Sequence, residues 1–132
     1  MDDAEETRRV VLRMLELFDD GTASSYGSLR FLDLVDEHCD WVEQSSDARF
    51  AGRRGDKASI RRATEESQAA LRDRHANVKE VIVEADRAAV VWTWSATSVS
   101  RPLSATVYSI FSVAGGRITR WHDTILSEPA GG

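Results

Sequence analysis

The sequence predicts an α+β domain in which a curved, mostly antiparallel sheet wraps round a long N-terminal helix, with two further helices beside it. Three observations predict it. Val10, Val11, Met14, Leu15 and Phe18 recur at three- and four-residue steps, the spacing of one helical stripe. The last third, Asp86 to Leu126, divides into three long strands, Arg87–Val99, Leu103–Ala114 and Arg117–Leu126, with Arg101-Pro102 at one break and Gly115-Gly116 at the other. The helical patterns precede this meander instead of alternating with its strands, which separates α+β from α/β organisation.

The first helix is expected from Asp2 to about Asp19. Asp2, Asp3, Glu5 and Glu6 suit the positive end of its dipole, and Asp20-Gly21 stops it. Residues 21–27 have loop chemistry. Ser28–Asp36 reads as a short second helix with Leu29, Leu32 and Val35 on one side, and Glu37–Ser45 as a short strand. Ser46–Gly55 reads as a polar loop in which Arg53-Arg54 forms a solvated turn. Asp56 is the N-cap of a third helix running to about Asp73. Its thin apolar face (Ile60, Ala63, Ala70, Leu71) suits a helix lying across a sheet. Asn77–Ala85 is a Val- and Ile-rich strand that turns at Asp86-Arg87 into the meander.

The 132 residues make one domain, 1–128, with 129–132 as a disordered tail. The net charge of -5, with no basic block, argues against nucleic acid or an anionic membrane as the partner. Cys39 is the one cysteine, so a disulfide within the chain and a cysteine zinc site are both excluded; an inert buried thiol is its expected state. The acidic start, Met1-Asp2-Asp3-Ala4-Glu5-Glu6, is the opposite of a secretory signal, and no apolar run reaches the length of a membrane span. A cytoplasmic location is the expectation.

Three stretches resemble the nuclear transport factor 2-like superfamily, the SnoaL-like or ketosteroid-isomerase-like cone fold. They are Asp36–Gln44, the loop-to-helix entry Phe50–Ile60, and Phe111–Asp123. In their order they cover nearly the whole chain, and they imply a cone-shaped, cystatin-like roll with a pocket at its open end. The superfamily includes isomerases, cyclases, dehydratases, epoxide hydrolases and non-catalytic binding modules, so the resemblance leaves function open. Similarity to limonene-epoxide hydrolases rests on the glycine-Arg-Ile run into Trp121-His122-Asp123 and implies that Asp123 faces the pocket. That family's Arg-x-Asp pair falls at Trp94 and Ala96, and its water-positioning Tyr and Asn at Trp41 and Glu43. The general base of ketosteroid isomerase would fall at Glu43 or Gln44, and its oxyanion-hole acid near Ser109. SnoaL-like cyclases carry an acid/base Asp on the last strand, where His122 and Asp123 stand here.

Strand alternation then sorts the faces. With Asp123 inward, Trp121 and Ile125 go with it, and His122 and Thr124 face out. The register implied by the resemblance turns Trp92, Trp94, Ala96, Val107, Ser109, Phe111, Trp41 and Glu43 inward. Asp123 and Glu43 are the candidate catalytic residues, since two carboxylates in an apolar lining acquire separated pKa values useful near neutral pH. Trp41, Trp92, Trp94, Phe111 and Trp121 are the candidate ligand-binding residues, with Tyr26 on a loop at the pocket mouth. Neither a metal nor a cofactor is expected. The leading function is cofactor-free isomerisation, cyclisation or dehydration of a hydrophobic carbonyl-containing or polycyclic compound. A non-catalytic binding or dimerisation module is the alternative, and epoxide hydrolysis at a rearranged site a second one. The outward face, which includes Thr93, Thr106, Tyr108, Ile110 and Thr124, is β-prone and nearly uncharged, so a homodimer packed through it is expected.

Overall fold

The computed structural model describes residues 2–19, 29–46, 52–99 and 101–127. Tyr26, Phe50, Ala51 and the 129–132 tail lie outside the described residues. The elements are α1 (Asp3–Asp19), a 3-10 turn (Arg30–Leu34), β1 (Val35–Ser45), β2 (Arg53–Gly55), α2 (Lys57–Ala70), β3 (Arg72–Glu84), β4 (Arg87–Ser98), β5 (Arg101–Ala114) and β6 (Arg117–Ser127). They form the expected α+β cone. One six-stranded sheet runs in the order β2-β1-β6-β5-β4-β3. Every neighbouring pair is antiparallel except β1 and β6, which are parallel.

The apolar stripe of α1 drives its packing. Val10, Val11, Met14 and Leu15 are all at most 1% exposed, and the helix lies against β3, β4, β5 and β6. Its first turns are pinned where Thr7 Oγ1 donates to the Ala85 carbonyl at the β3–β4 turn, 2.8 Å away. Phe31 and Leu32 of the 3-10 turn, with Val35, Cys39 and Trp41 of β1, extend the same core. Cys39 is buried as expected. Desolvation, with the charges of Asp40, Asp36 and Asp56 added, pushes its thiol up to about 12, which keeps it unreactive.

Five elements differ from the expectation. The second helix is a single 3-10 turn, entered through Leu29 in the left-handed region at φ 57°, and β1 begins at Val35. The left-handed Leu29 bounds the turn at its start and the extended Val35 (φ -110°, ψ 128°) at its end, so five residues coil between them. Arg53–Gly55 is a strand paired with Trp41, Val42 and Glu43, where a polar loop had been read. β3 begins at Arg72, and β5 begins at Arg101 with Arg101-Pro102 inside it, opposite Ser98 and Thr97. Among the described residues β6 pairs with β5 from Ala105 onward, so Pro102 meets no described ladder partner on that side, a place where proline is tolerated.

The other turn signals hold. Gly115 and Gly116 have φ of 59° and 75°, the two left-handed residues of a tight hairpin between β5 and β6. Asp56 caps α2 reciprocally with Ser59: each side-chain oxygen accepts from the other residue's backbone N–H at 3.2 Å. A Cβ on Gly55 would lie 2.0 Å from Ser59 Oγ, so the capping serine requires glycine at that place. Among the described residues, no helix is long and apolar enough to cross a membrane.

Candidate functional site

β6 alternates strictly over its functional stretch: Trp121, Asp123 and Ile125 are buried, and His122, Thr124 and Leu126 are not. The residue facing Asp123 on each neighbouring strand follows from the ladder. Glu43 of β1 is its partner on one side and Ser109 of β5 on the other. Arg53 of β2 is in turn the partner of Glu43. One rank of residues therefore crosses four strands in the order Arg53, Glu43, Asp123, Ser109, and directly paired residues share a face of the sheet. The rank continues on β4 as Val90, where it becomes apolar.

Asp123 is 5% exposed. Its Oδ1 accepts from Ser109 Oγ at 2.5 Å and from Trp121 Nε1 at 2.8 Å. Trp92 Nε1 donates to Ser109 Oγ at 2.9 Å. That bond leaves the serine proton for Asp123, since no other acceptor for it exists among the described residues. Both donors therefore meet on Oδ1, and no described residue donates to Oδ2. Desolvation pushes the carboxyl up to about 7, with the Glu43 charge adding to the rise and the Ser109 and Trp121 hydrogen bonds opposing it.

Glu43 is held differently. Its Oε1 accepts from Arg53 Nε at 2.7 Å and from Nη2 at 2.6 Å. Burial raises its pKa above the usual carboxylate value, while the arginine charge and hydrogen bond pull it back. The Arg53 guanidinium also sits 5.7 Å from the centre of the Trp41 ring, a cation–π distance.

These groups line one cavity of about 80 Å³, partly open to solvent, between the sheet and α2. Asp123, Glu43 and Arg53 supply its charges, Thr64 and Ser67 of α2 its hydroxyls. Trp41, Trp92, Trp94, Trp121 and Phe18 form its aromatic wall. Phe18, near the C-terminal end of α1, meets Phe31, Trp92 and Trp121 edge-on at 5.3, 5.8 and 6.3 Å. The pocket thus lies at the end of the cone where α1 stops.

Asp123, Glu43, Trp41, Trp92, Trp94 and Trp121 come together around this cavity. Phe111 lies deeper, fully buried against Trp121 at 5.7 Å between ring centres, and supports the wall without lining it. Arg53 is the residue that sequence reading missed. An Arg-Arg pair between glycines is usually a solvated turn, and a three-residue strand has too little pattern to announce itself. Its one signal is position: three residues before the Asp56 cap and ten after Glu43, within reach of a short hairpin. Ser109 was placed inward without a role. Among the described residues, no cluster of three or more His, Cys, Asp or Glu side chains is placed to hold a metal.

A SnoaL-like domain model matches residues 7–121. No curated protein matches the chain. Among solved structures, the chain is similar to wild-type IdmH from Streptomyces antibioticus, a candidate polyketide cyclase, with TM-score 0.73, 19% identity, and 90% and 91% of the two chains covered. Bal32a from a soil-derived mobile gene cassette gives 0.70 at 18% identity over 94% and 92%. A candidate ketosteroid isomerase from Kribbella flavida gives 0.65 at 19% identity over 100% and 87%. At these identities the likeness is one of fold.

Proposed function

The chain belongs to the SnoaL-like domain family, and from that premise we propose that it is a small-molecule pocket protein that moves a proton by acid/base catalysis without a cofactor. The reaction would be an isomerisation, cyclisation or dehydration of a hydrophobic carbonyl compound. One observation carries this reading: Asp123 lines the cavity with both hydrogen-bond donors on Oδ1, so Oδ2 is the oxygen that takes or gives a proton. A carboxyl poised at about 7 exchanges that proton readily near neutral pH. The cyclase and isomerase descriptions of the similar structures support the same class.

The chemistry balances on Asp123 alone. Its carboxylate removes a proton from the carbon next to a carbonyl, the C–H pair moves into the new C=C bond, and the carbonyl oxygen becomes an enolate. Return of the proton to another carbon completes an isomerisation and restores the carboxylate. Glu43 is the partner carboxylate whose charge raises the proton affinity of Asp123. The cavity, at about 80 Å³, is below the ~150 Å³ that admits benzene into an apolar protein void. The cavity is partly open to solvent, so one ring enters with its outer edge at the mouth, and a polycyclic compound would leave most of itself outside.

Asp123→Asn tests the reading, because asparagine can keep both hydrogen bonds on its carbonyl oxygen. With 5-nitrobenzisoxazole, whose ring opens to a coloured phenolate when a base removes one proton, the variant should lose about 10²- to 10⁴-fold in rate. Equal rates would leave a non-catalytic binding module, a reading favoured by the apolar Trp94 and Ala96 on the cavity side of β4.

We also propose a homodimer through the outer face of the sheet, and the cytoplasm as its compartment. Ile82, Tyr108 and Ile110 are 61%, 47% and 43% exposed around a depression of about 370 Å³ on that face. Val42, Ala89 and Val91 line it beside Gln44, Glu80, His122 and Thr124, so the apolar patch of a second copy suits its centre. Native mass measurement should find a dimer, and Ile110→Lys should dissociate it; a monomeric unaltered protein would end this proposal.

A further inference from the structure

Arg53 is the cation among the described residues that line the cavity, and it enters from an edge strand of only three residues. Its setting is unlike that of a surface arginine. Glu43 takes two of its N–H groups on one oxygen, at 2.7 and 2.6 Å, and Trp41 lies 5.7 Å from its carbon centre. A guanidinium fixed on two sides is already oriented before any ligand arrives, so little reorganisation accompanies its use. It shares the rank with Asp123, two strands away, roughly 10 Å between backbones at the usual strand spacing. Both side chains reach toward the same cavity, which narrows the gap to the span of one ring or a short chain.

We propose that Arg53 is a catalytic residue that binds the substrate's oxygen, and that Glu43 positions it, so that the substrate is a neutral monocyclic or short-chain carbonyl compound lying between Arg53 and Asp123. The assignment rests on the acid/base reading of the same cavity and adds what that reading lacks, a place for the charge. When Asp123 takes the proton, one negative charge leaves its carboxylate and appears on the carbonyl oxygen as an enolate. The guanidinium meets that oxygen with N–H donors, which strengthen as the charge develops. The overall charge of the site is unchanged in the step. Before it, Arg53 balances Glu43 and Asp123 carries the excess; after it, the enolate does. A substrate already negatively charged would face Glu43 and Asp123 together, so a neutral compound is favoured.

The test uses 4-nitrophenol, a planar single-ring compound that ionises near neutral pH and whose phenolate absorbs visibly, beside 4-nitroanisole, which has the same shape and cannot ionise. The unaltered protein should bind nitrophenol as the phenolate, seen as growth of the phenolate band at fixed pH. Arg53→Gln should weaken phenolate binding about tenfold or more and leave nitroanisole within about twofold. Glu43→Gln keeps the arginine and removes its counter-charge, so phenolate binding should strengthen about threefold or more. It guards against a misfolded Arg53 variant. Equal loss of both compounds in Arg53→Gln, an unchanged phenolate affinity in either variant, or no phenolate band with the unaltered protein would overturn the proposal. Asp123→Asn separates the two readings. Phenolate binding should persist in it, so a failure of Asp123 as the base, seen with 5-nitrobenzisoxazole, would stand apart from a failure of Arg53.

Discussion

β1 and β6 run side by side and carry a polar pair on each face of the sheet. Inside, Glu43 and Asp123 are direct ladder partners. Outside, His122 Nε2 lies 2.8 Å from Asp40 Oδ2. The same two strands thus hold a carboxylate in water and a carboxylate in a tryptophan-walled cavity. His122 and Asp40 are 36% and 61% exposed, and solvent screens what they do to each other. Asp123 at 5% exposure has exchanged water for two hydrogen bonds on a single oxygen, and its proton affinity rises accordingly. Desolvation is what turns the inner carboxylate into a candidate acid/base.

The comparison predicts a pH dependence that belongs to the inner face, and stability is where the effect is largest. The Asp123 pKa is raised from 3.8 to about 7 on folding. Below pH 4 the group is protonated in folded and unfolded chains alike. Between pH 4 and 7 the folded chain holds a proton that the unfolded chain has lost, so stability falls as pH rises. The drop approaches roughly 4 kcal/mol above pH 7, at 1.36 kcal/mol for each unit of pKa. Asp123→Asn removes it. Denaturant unfolding at pH 4 and pH 8 should show the variant gaining several kcal/mol on the unaltered protein at the higher pH only. Parallel changes in the two proteins would mean that the carboxylate is not desolvated.

That inward carboxylate was legible in the sequence because β6 keeps one register with β5 from Arg120 to Ser127, beyond the irregularity at Thr119 that turns both Ile118 and Trp121 inward. Alternation then places Trp121, Asp123 and Ile125 without further information. β1 was less legible. Its ladder with β6 slips between Val35 and Asp40, and the slip decides which face Glu43 takes. No residue type in Asp36–Asp40 signals it. Arg53 was illegible for a different reason, since an edge strand of three residues is defined by its partner and not by its own pattern. Tryptophans were read as lining from strand parity alone, but parity does not give depth. Phe111 shares the inward face and lies beneath the cavity instead of along it.

Ser109→Ala sharpens the inner side of the comparison with a smaller effect. The serine links the Trp92 indole to Asp123. Its loss leaves a buried N–H without an acceptor, which costs about 1–3 kcal/mol. It also removes one of the two hydrogen bonds that favour the Asp123 carboxylate. The carboxyl should therefore titrate at a higher pH in the variant, and the rate against pH with 5-nitrobenzisoxazole should shift its inflection upward. An inflection left in place would show that the network positions Asp123 without tuning it.

The smallest effect is expected outside, and it tests the comparison from the other direction. His122→Gln removes the partner of Asp40 at a site where both groups remain largely hydrated. Exposed ion pairs of this kind contribute less than about 1 kcal/mol, and a protonated imidazole adds its charge only below its own pKa. The variant should unfold within about 1 kcal/mol of the unaltered protein and should turn over 5-nitrobenzisoxazole at the same rate. His122 is a chain neighbour of Asp123, so a backbone disturbance would reach the cavity through one peptide unit and appear as lost rate. An unchanged rate with unchanged stability separates the faces cleanly. A large loss of rate would show instead that the parallel β1–β6 ladder is held in register from outside, and that the inner carboxylates depend on the outer pair for their place.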